Sequence, residues 1–207
     1  MNRVQIVIAL ALWAVLVGSG MIWLTRYSLG SGRAAAAPAV WPGRSAARRE
    51  SGRPTLVMIA HPRCACTRAS LGELSTLMTR CQDRVAATVV FVRPAGTAAG
   101  WDDTDLRRSA MAIPGVTVLT DPGGSEAGRF GAWTSGQVLL YDATGRLEFQ
   151  GGITAGRGHA GDNPGRSELE SRLLTGRADR PSTPVFGCEL FDPRQRPERR
   201  VVPTWQN

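Results

Sequence analysis

The feature that most constrains the fold is a junction. The continuous apolar run Thr55–Ala60 passes through His61-Pro62-Arg63 directly into a helical pattern in which Ala69, Leu71, Leu74, Leu77 and Met78 recur on one face. An uninterrupted apolar strand is buried on both sheet faces, and a strand followed at once by an amphipathic helix is half of a parallel β-α-β unit. Such a beginning commits the chain to an α/β architecture. At the junction stand two cysteines one residue apart, Cys64 and Cys66.

The pattern continues in kind. Val85–Val92 reads as a second buried strand, Asp103–Met111 as a helix with acids first and arginines later, and Val116–Leu119 as a third strand. Ser125–Phe130 reads as a short helix. Val138–Tyr141 and Leu147–Gln150 flank a turn at Asp142–Gly145 and read as a hairpin. Arg166–Leu174 reads as the last helix. The order predicts a mixed central sheet flanked by helices on both sides.

Ahead of this domain, Val4–Leu24 is apolar except for Gln5, Gly18, Ser19 and Gly20. As a helix it reaches about 30 Å, the thickness of a bilayer's hydrocarbon layer, and Trp23 stands where an interfacial aromatic belongs. A cleaved signal peptide has a shorter apolar region, and the small residues Ala34–Ala37 lie well beyond this one. The expected organisation is a transmembrane anchor over 1–25 held by membrane lipid, a flexible linker over 26–53, a domain over 54–176, and an extended tail over 177–207 that docks through Val185–Leu190. Arg3 before the span against Arg26 and Arg33 after it leaves the positive-inside rule nearly tied.

Composition narrows the function. Lys plus Arg number 25 against 17 acids, a net charge of +8, yet no lysine occurs. An all-arginine count follows a GC-rich coding bias and is no sign of arginine-specific recognition. The cluster Arg44, Arg48, Arg49 and Arg53 suits a solvated linker or anionic headgroups. No basic run with interleaved aromatics follows, so a nucleic-acid partner is not expected. Four cysteines are too few for a disulfide scaffold but enough for one redox pair or one metal site.

At the mouth of a helix, Cys64 and Cys66 face free amides and the positive end of the dipole, with Arg63 and Arg68 nearby. A thiolate is favoured there, and the thiolate is the reactive form in disulfide exchange. A bond between cysteines this close in sequence would be strained and easily reduced. Cys64 is expected nearer the surface as nucleophile, with Cys66 resolving. Cys188, in the apolar patch Val185–Leu190, is a further candidate to resolve a disulfide or complete a metal site. Cys81 is expected to pack at the end of its helix. The glycine-rich stretch from Gly151 to Asn163 carries Arg157, His159, Asp162 and Asn163 and is expected as a loop knitted by its own side chains. His61, Cys64, Cys66, His159 and Cys188 form the alternative set, thiolates and imidazoles suited to copper. The first reading requires no cofactor.

A cysteine pair directly after a buried strand resembles the thioredoxin-like superfamily. The stretch Asp121…Glu126-Ala127…Phe130-Gly131, with Val138–Tyr141 and Asp142…Gly145, resembles its membrane-anchored thiol-disulfide and peroxiredoxin-like branch. More narrowly, His61–Cys66, Thr134-Ser135-Gly136, Gly151–Thr154, Arg157–Asn163 and Val185–Cys188 are similar to RedB-type proteins. The resemblance implies a thioredoxin-like fold and thiol-disulfide oxidoreductase activity on a thiol or disulfide protein or a small thiol. An oxidising compartment is the natural home of such a pair. The expected location is therefore the inner membrane, single-pass, with the domain facing the periplasm. Two departures stand out. The superfamily's usual cysteine spacing has two intervening residues, and its cis-proline position falls here on Ser135 or Gly136, which leaves room for metal. A peroxide reductase ranks last, because Thr67 and Arg68 follow the pair instead of preceding it.

Overall fold

The computed structural model describes residues 2–33 and 35–191. The part of the expected tail beyond 191, and Ala34 in the small-residue run, lie outside the described residues.

Helix α1 (Arg3–Leu29) opens the chain with an Asn2 capping box, in which the Asn2 side chain accepts from Gln5 N–H and the Gln5 side chain accepts from Asn2 N–H. It contributes nothing to the core, and it is long and apolar enough to cross a membrane, with a mean hydropathy of 2.3 over its most apolar 18 residues. The remaining elements follow the predicted order. These are β1 (Thr55–Ala60), α2 (Ala65–Arg80), β2 (Ala86–Arg93), α3 (Asp105–Met111), β3 (Val116–Pro122), α4 (Ser125–Arg129), β4 (Gln137–Tyr141), β5 (Leu147–Gly152) and α5 (Pro164–Thr175). The sheet order is β3-β2-β1-β4-β5. Strands β1, β2 and β3 run parallel, and β4 and β5 antiparallel to their neighbours. The junction strand β1 is therefore central.

Its period-two alternation divides the core. Leu56, Met58 and Ala60 face α2, α3 and α5 through Leu71, Leu74, Leu77, Leu106, Ala110 and Leu169. Val57 and Ile59 face the other side, where Ala127, Phe130 and Ala132 pack with Tyr141 and Leu190. Every residue of β1 is buried, as an uninterrupted apolar strand requires.

Two expectations change. The segment read as a flexible linker packs against the domain from Ala37 to Ala47. Trp41 stands edge-on to Phe130 and Tyr141 at 5.3 and 5.2 Å, and Ala47 is buried. Trp41 N–H donates to Gly145 O and Leu147 N–H to Ala39 O, so the strap joins the sheet beside β5. One aromatic anchor and backbone pairing hold the strap, and neither needs a sequence period. Gly151 and Gly152 belong to β5, so the loop begins two residues later than expected. No side chain fits at these two positions, because a Cβ there would run into Thr183, Pro184 and Val185 of the tail.

Candidate functional site

The carboxyl end of β1 delivers His61, and the turn that follows places Cys64 at the N-cap of α2 with extended backbone, φ −96° and ψ 123°. The partner surface is Trp133–Gly136, just ahead of β4. Gly136 N–H donates to Ile59 O at 2.8 Å, and Ser135 Oγ accepts from His61 N–H at 2.8 Å while bonding Thr67 Oγ1 at 2.9 Å. Ser135 thus fastens the cysteine turn to the segment ahead of β4.

The tail crosses the same surface. It first runs beside β5, where Gln150 N–H donates to Pro181 O and Thr183 N–H to Gln150 O. It then pairs antiparallel with the surface ahead of β4. Ser135 N–H donates to Cys188 O at 2.8 Å, Leu190 N–H donates to Trp133 O at 2.9 Å, and Thr134 bridges Glu189. Val185 and Leu190 are buried at either end, which accounts for the apolar patch around Cys188. Gly187 permits the crossing, since any Cβ there would collide with Ser135 O.

This docking brings three sulfurs together. Cys64 Sγ lies 2.6 Å from Cys188 Sγ, and the Sγ atoms of Cys64, Cys66 and Cys188 all lie within 4.8 Å of one another. Cys64 is only 2% exposed, Cys66 is half-buried and Cys188 is exposed. The expectation that Cys64 stands nearer the surface is overturned. The tail covers it through the Cys188 sulfur.

Environment separates the three thiols. The contact with the Cys188 sulfur holds the Cys64 thiol down at about 4, against the opposing effect of burial. No first-turn amide makes a full capping hydrogen bond to the Cys64 side chain, but those of Thr67 and Cys66 also favour its charge. Burial, and then the charge of Cys64, push Cys66 up. The contact with Cys64, and then burial, push Cys188 up. Of the three sulfurs, Cys64 is the one whose charge the surroundings favour.

Arg157 is the cation of the site. Its guanidinium donates to Gly187 O, lies 5.2 Å from the Tyr27 ring centroid, and favours the charged forms of Cys66 and Cys188. Its Nε is buried without a hydrogen-bond partner among the described residues. The exit of α1 meets the same place. Arg157 N–H donates to Ser28 O at 2.9 Å, Gly32 N–H to Val185 O at 2.7 Å, and Thr134 Oγ1 to Arg33 O at 2.7 Å.

Neither histidine belongs to the cluster of potential metal donors found among the described residues. The His61 ring stands edge-on to Trp101 at 5.5 Å and its Nδ1 accepts from Arg63 N–H. Burial lowers its pKa, while the charge of Cys64 raises it. His159 is exposed and bonds Arg157 O of its own loop. The loop is knitted by acids and amides as expected, with a residue outside it as the hub. Buried Glu73 of α2 accepts from Gly161 N–H at 2.6 Å, from Asn163 Nδ2 at 3.2 Å and from Arg166 at 2.7 Å. A lone acid on the apolar face of a predicted helix was the available signal. Cys81 is buried in the core and far from the sulfur cluster in role, packed with α2 and α5 residues.

No family model matches this sequence, and no curated protein matches it. Solved structures do. An uncharacterized conserved protein from Geobacillus kaustophilus is 17% identical, with a TM-score of 0.57, over 80% of this chain and 94% of the other. A hypothetical protein from Sinorhizobium meliloti is 20% identical, with a TM-score of 0.55, over 79% and 94%. A thioredoxin-like protein in its oxidised form is 15% identical, with a TM-score of 0.43, over 66% and 92%. The fold is a mixed five-stranded sheet flanked by helices with an apolar helix ahead of it, the architecture that the resemblance implied.

Proposed function

We propose that this protein is a membrane-anchored thiol-disulfide oxidoreductase whose working pair is Cys64 with Cys188, Cys66 standing by as a third thiol. The observation that carries the reading is the 2.6 Å separation of the Cys64 and Cys188 sulfurs, with one of them held as thiolate. A thiolate beside a second thiol is what disulfide exchange requires. A bond between Cys64 and Cys188 also avoids the strain that a bond between Cys64 and Cys66 imposes. Helix α1 serves as the anchor, and the domain faces the periplasm, where such a pair cycles through its oxidised form. The RedB-type resemblance is consistent with this arrangement.

The test is chemical. Full-length protein in detergent is oxidised with glutathione disulfide, digested and mapped by mass spectrometry. A Cys64–Cys188 peptide pair is expected. Cys64→Ser should abolish turnover of insulin or a scrambled substrate, and undiminished turnover in that variant would falsify the assignment.

A second reading takes the same three sulfurs as donors to copper. Three mutually adjacent thiols suit a soft monovalent ion, and the cluster geometry favours Cys64, Cys66 and Cys188 over any set including His61 or His159. Competition of Cu(I) against a chromogenic chelator separates the readings. Tight stoichiometric copper without disulfide turnover selects the second.

A further inference from the structure

We infer that Cys188, on the docked tail, is the sulfur that meets the substrate, that Cys64 beneath it is the leaving group, and that the substrate is a reduced protein dithiol. This rests on the Cys64–Cys188 exchange reading above and assigns its direction and its point of attack.

The geometry is asymmetric. In a disulfide between the two residues, one sulfur belongs to an exposed residue and the other to a residue 2% exposed. An incoming thiolate must approach along the S–S axis, opposite the sulfur it expels, and only Cys188 offers that approach from solvent. The sulfur expelled is then Cys64, whose surroundings already accommodate charge. The Cys188 sulfur lies 2.6 Å from it and the amides of Cys66 and Thr67 face it. Cys64 stands at the amino-terminal mouth of the 16-residue helix α2 with a second sulfur packed against it, a place that stabilises an expelled thiolate, and a pair whose reduced form is stabilised oxidises other thiols. The tail's own attachment keeps the asymmetry in place, since Val185 and Leu190 are buried and Ser135 and Trp133 pair with its backbone.

The steps balance. A substrate thiolate attacks Cys188 Sγ, the Cys64–Cys188 bond breaks, Cys64 leaves as thiolate, and a substrate–Cys188 disulfide forms. The second substrate thiolate attacks the substrate sulfur of that mixed disulfide and expels Cys188, beside the Arg157 guanidinium. Cys188 takes up one proton, and the other substrate proton goes to water. The substrate is oxidised by two electrons and the protein pair is reduced by two. An external disulfide restores the pair.

Kinetic trapping tests the assignment. The full chain carrying Cys66→Ser, in detergent and oxidised, is mixed with reduced glutathione and quenched with iodoacetamide at short times. Glutathione should be found on Cys188 at least about tenfold more often than on Cys64, with Cys64 alkylated. Glutathione mainly on Cys64 overturns the inference while leaving Cys64–Cys188 exchange intact. Failure to form any Cys64–Cys188 bond overturns the exchange reading and this inference with it. A second measurement needs no disulfide. Cys188 is left in a Cys64→Ser, Cys66→Ser variant and Cys64 in a Cys66→Ser, Cys188→Ser variant. Replacing N-ethylmaleimide by a polyethylene-glycol maleimide should slow Cys64 at least about tenfold more than it slows Cys188. Equal size penalties overturn the assignment.

Discussion

Two irregular segments flank the domain, and neither has a period that a sequence reading can use. The strap before β1 and the tail after α5 both lie down on the sheet, and both add backbone pairing at its edges. Their consequences differ. The strap packs Trp41 edge-on against Phe130 and Tyr141, on the sheet face opposite α2. The tail buries Val185 and Leu190 but carries Cys188 across Ser135 to Cys64. One segment completes the core and the other completes the site. Docking by itself is therefore no sign of function, and the chemistry of the residue delivered decides it.

The sharpest test of that contrast is reciprocal substitution. Cys188→Ser should lower disulfide exchange about a hundredfold, the remainder passing through Cys66, while Tm moves by less than about 2 °C. Trp41→Ala should do the reverse. Exchange persists, and stability falls by about 2–3 kcal/mol in urea titration, below the range for a fully buried aromatic because Trp41 is only half-buried. Equal effects of both variants on exchange would erase the distinction.

Gly187→Ala probes the crossing itself. The added methyl collides with Ser135 O, so the tail must lift. Formation of the Cys64–Cys188 bond should slow about tenfold, read by alkylation and mass mapping, with the strap's protection in hydrogen exchange unchanged.

Titration gives a smaller and more specific effect. Thiolate absorbance of Cys64 should persist from neutral pH down to about pH 5 and disappear as pH falls through about 4. The sign follows from the lowered pKa, since protonation comes only below that value. Cys188→Ser, which leaves a poorer geometry for donation, should move this midpoint upward by about one to two pH units, the size of a charge-assisted hydrogen bond. The smallest expected effect is that of His159→Ala. It should leave exchange rate, thiolate titration and Cu(I) affinity unchanged, because that imidazole bonds its own loop.

Much of the fold was legible. β1, the helix following it, the second strand and the hairpin stand within a residue or two of their predicted bounds, because burial of a whole strand and an apolar helical face write themselves as local periods. The site was legible in part. Cys64 at a helix mouth needed only the strand-turn-helix junction, and the patch around Cys188 marked a docking segment. The relative exposure of Cys64 was misread, because what covers it comes from residues more than a hundred positions away. Glu73 as the hub of the glycine-rich loop was missed because its partners Gly161, Asn163 and Arg166 lie 88 to 93 positions further along the chain.

The sequence by itself determined the α/β order, the apolar helix at the amino terminus, and a cysteine where a helix begins. These follow from forces between near neighbours along the chain. Only the tertiary structure decided which sulfur Cys64 meets, which one solvent reaches, and that both histidines stand aside. Those outcomes depend on where an unpatterned tail finds unpaired backbone and apolar surface to cover, and that surface exists only after the sheet has formed.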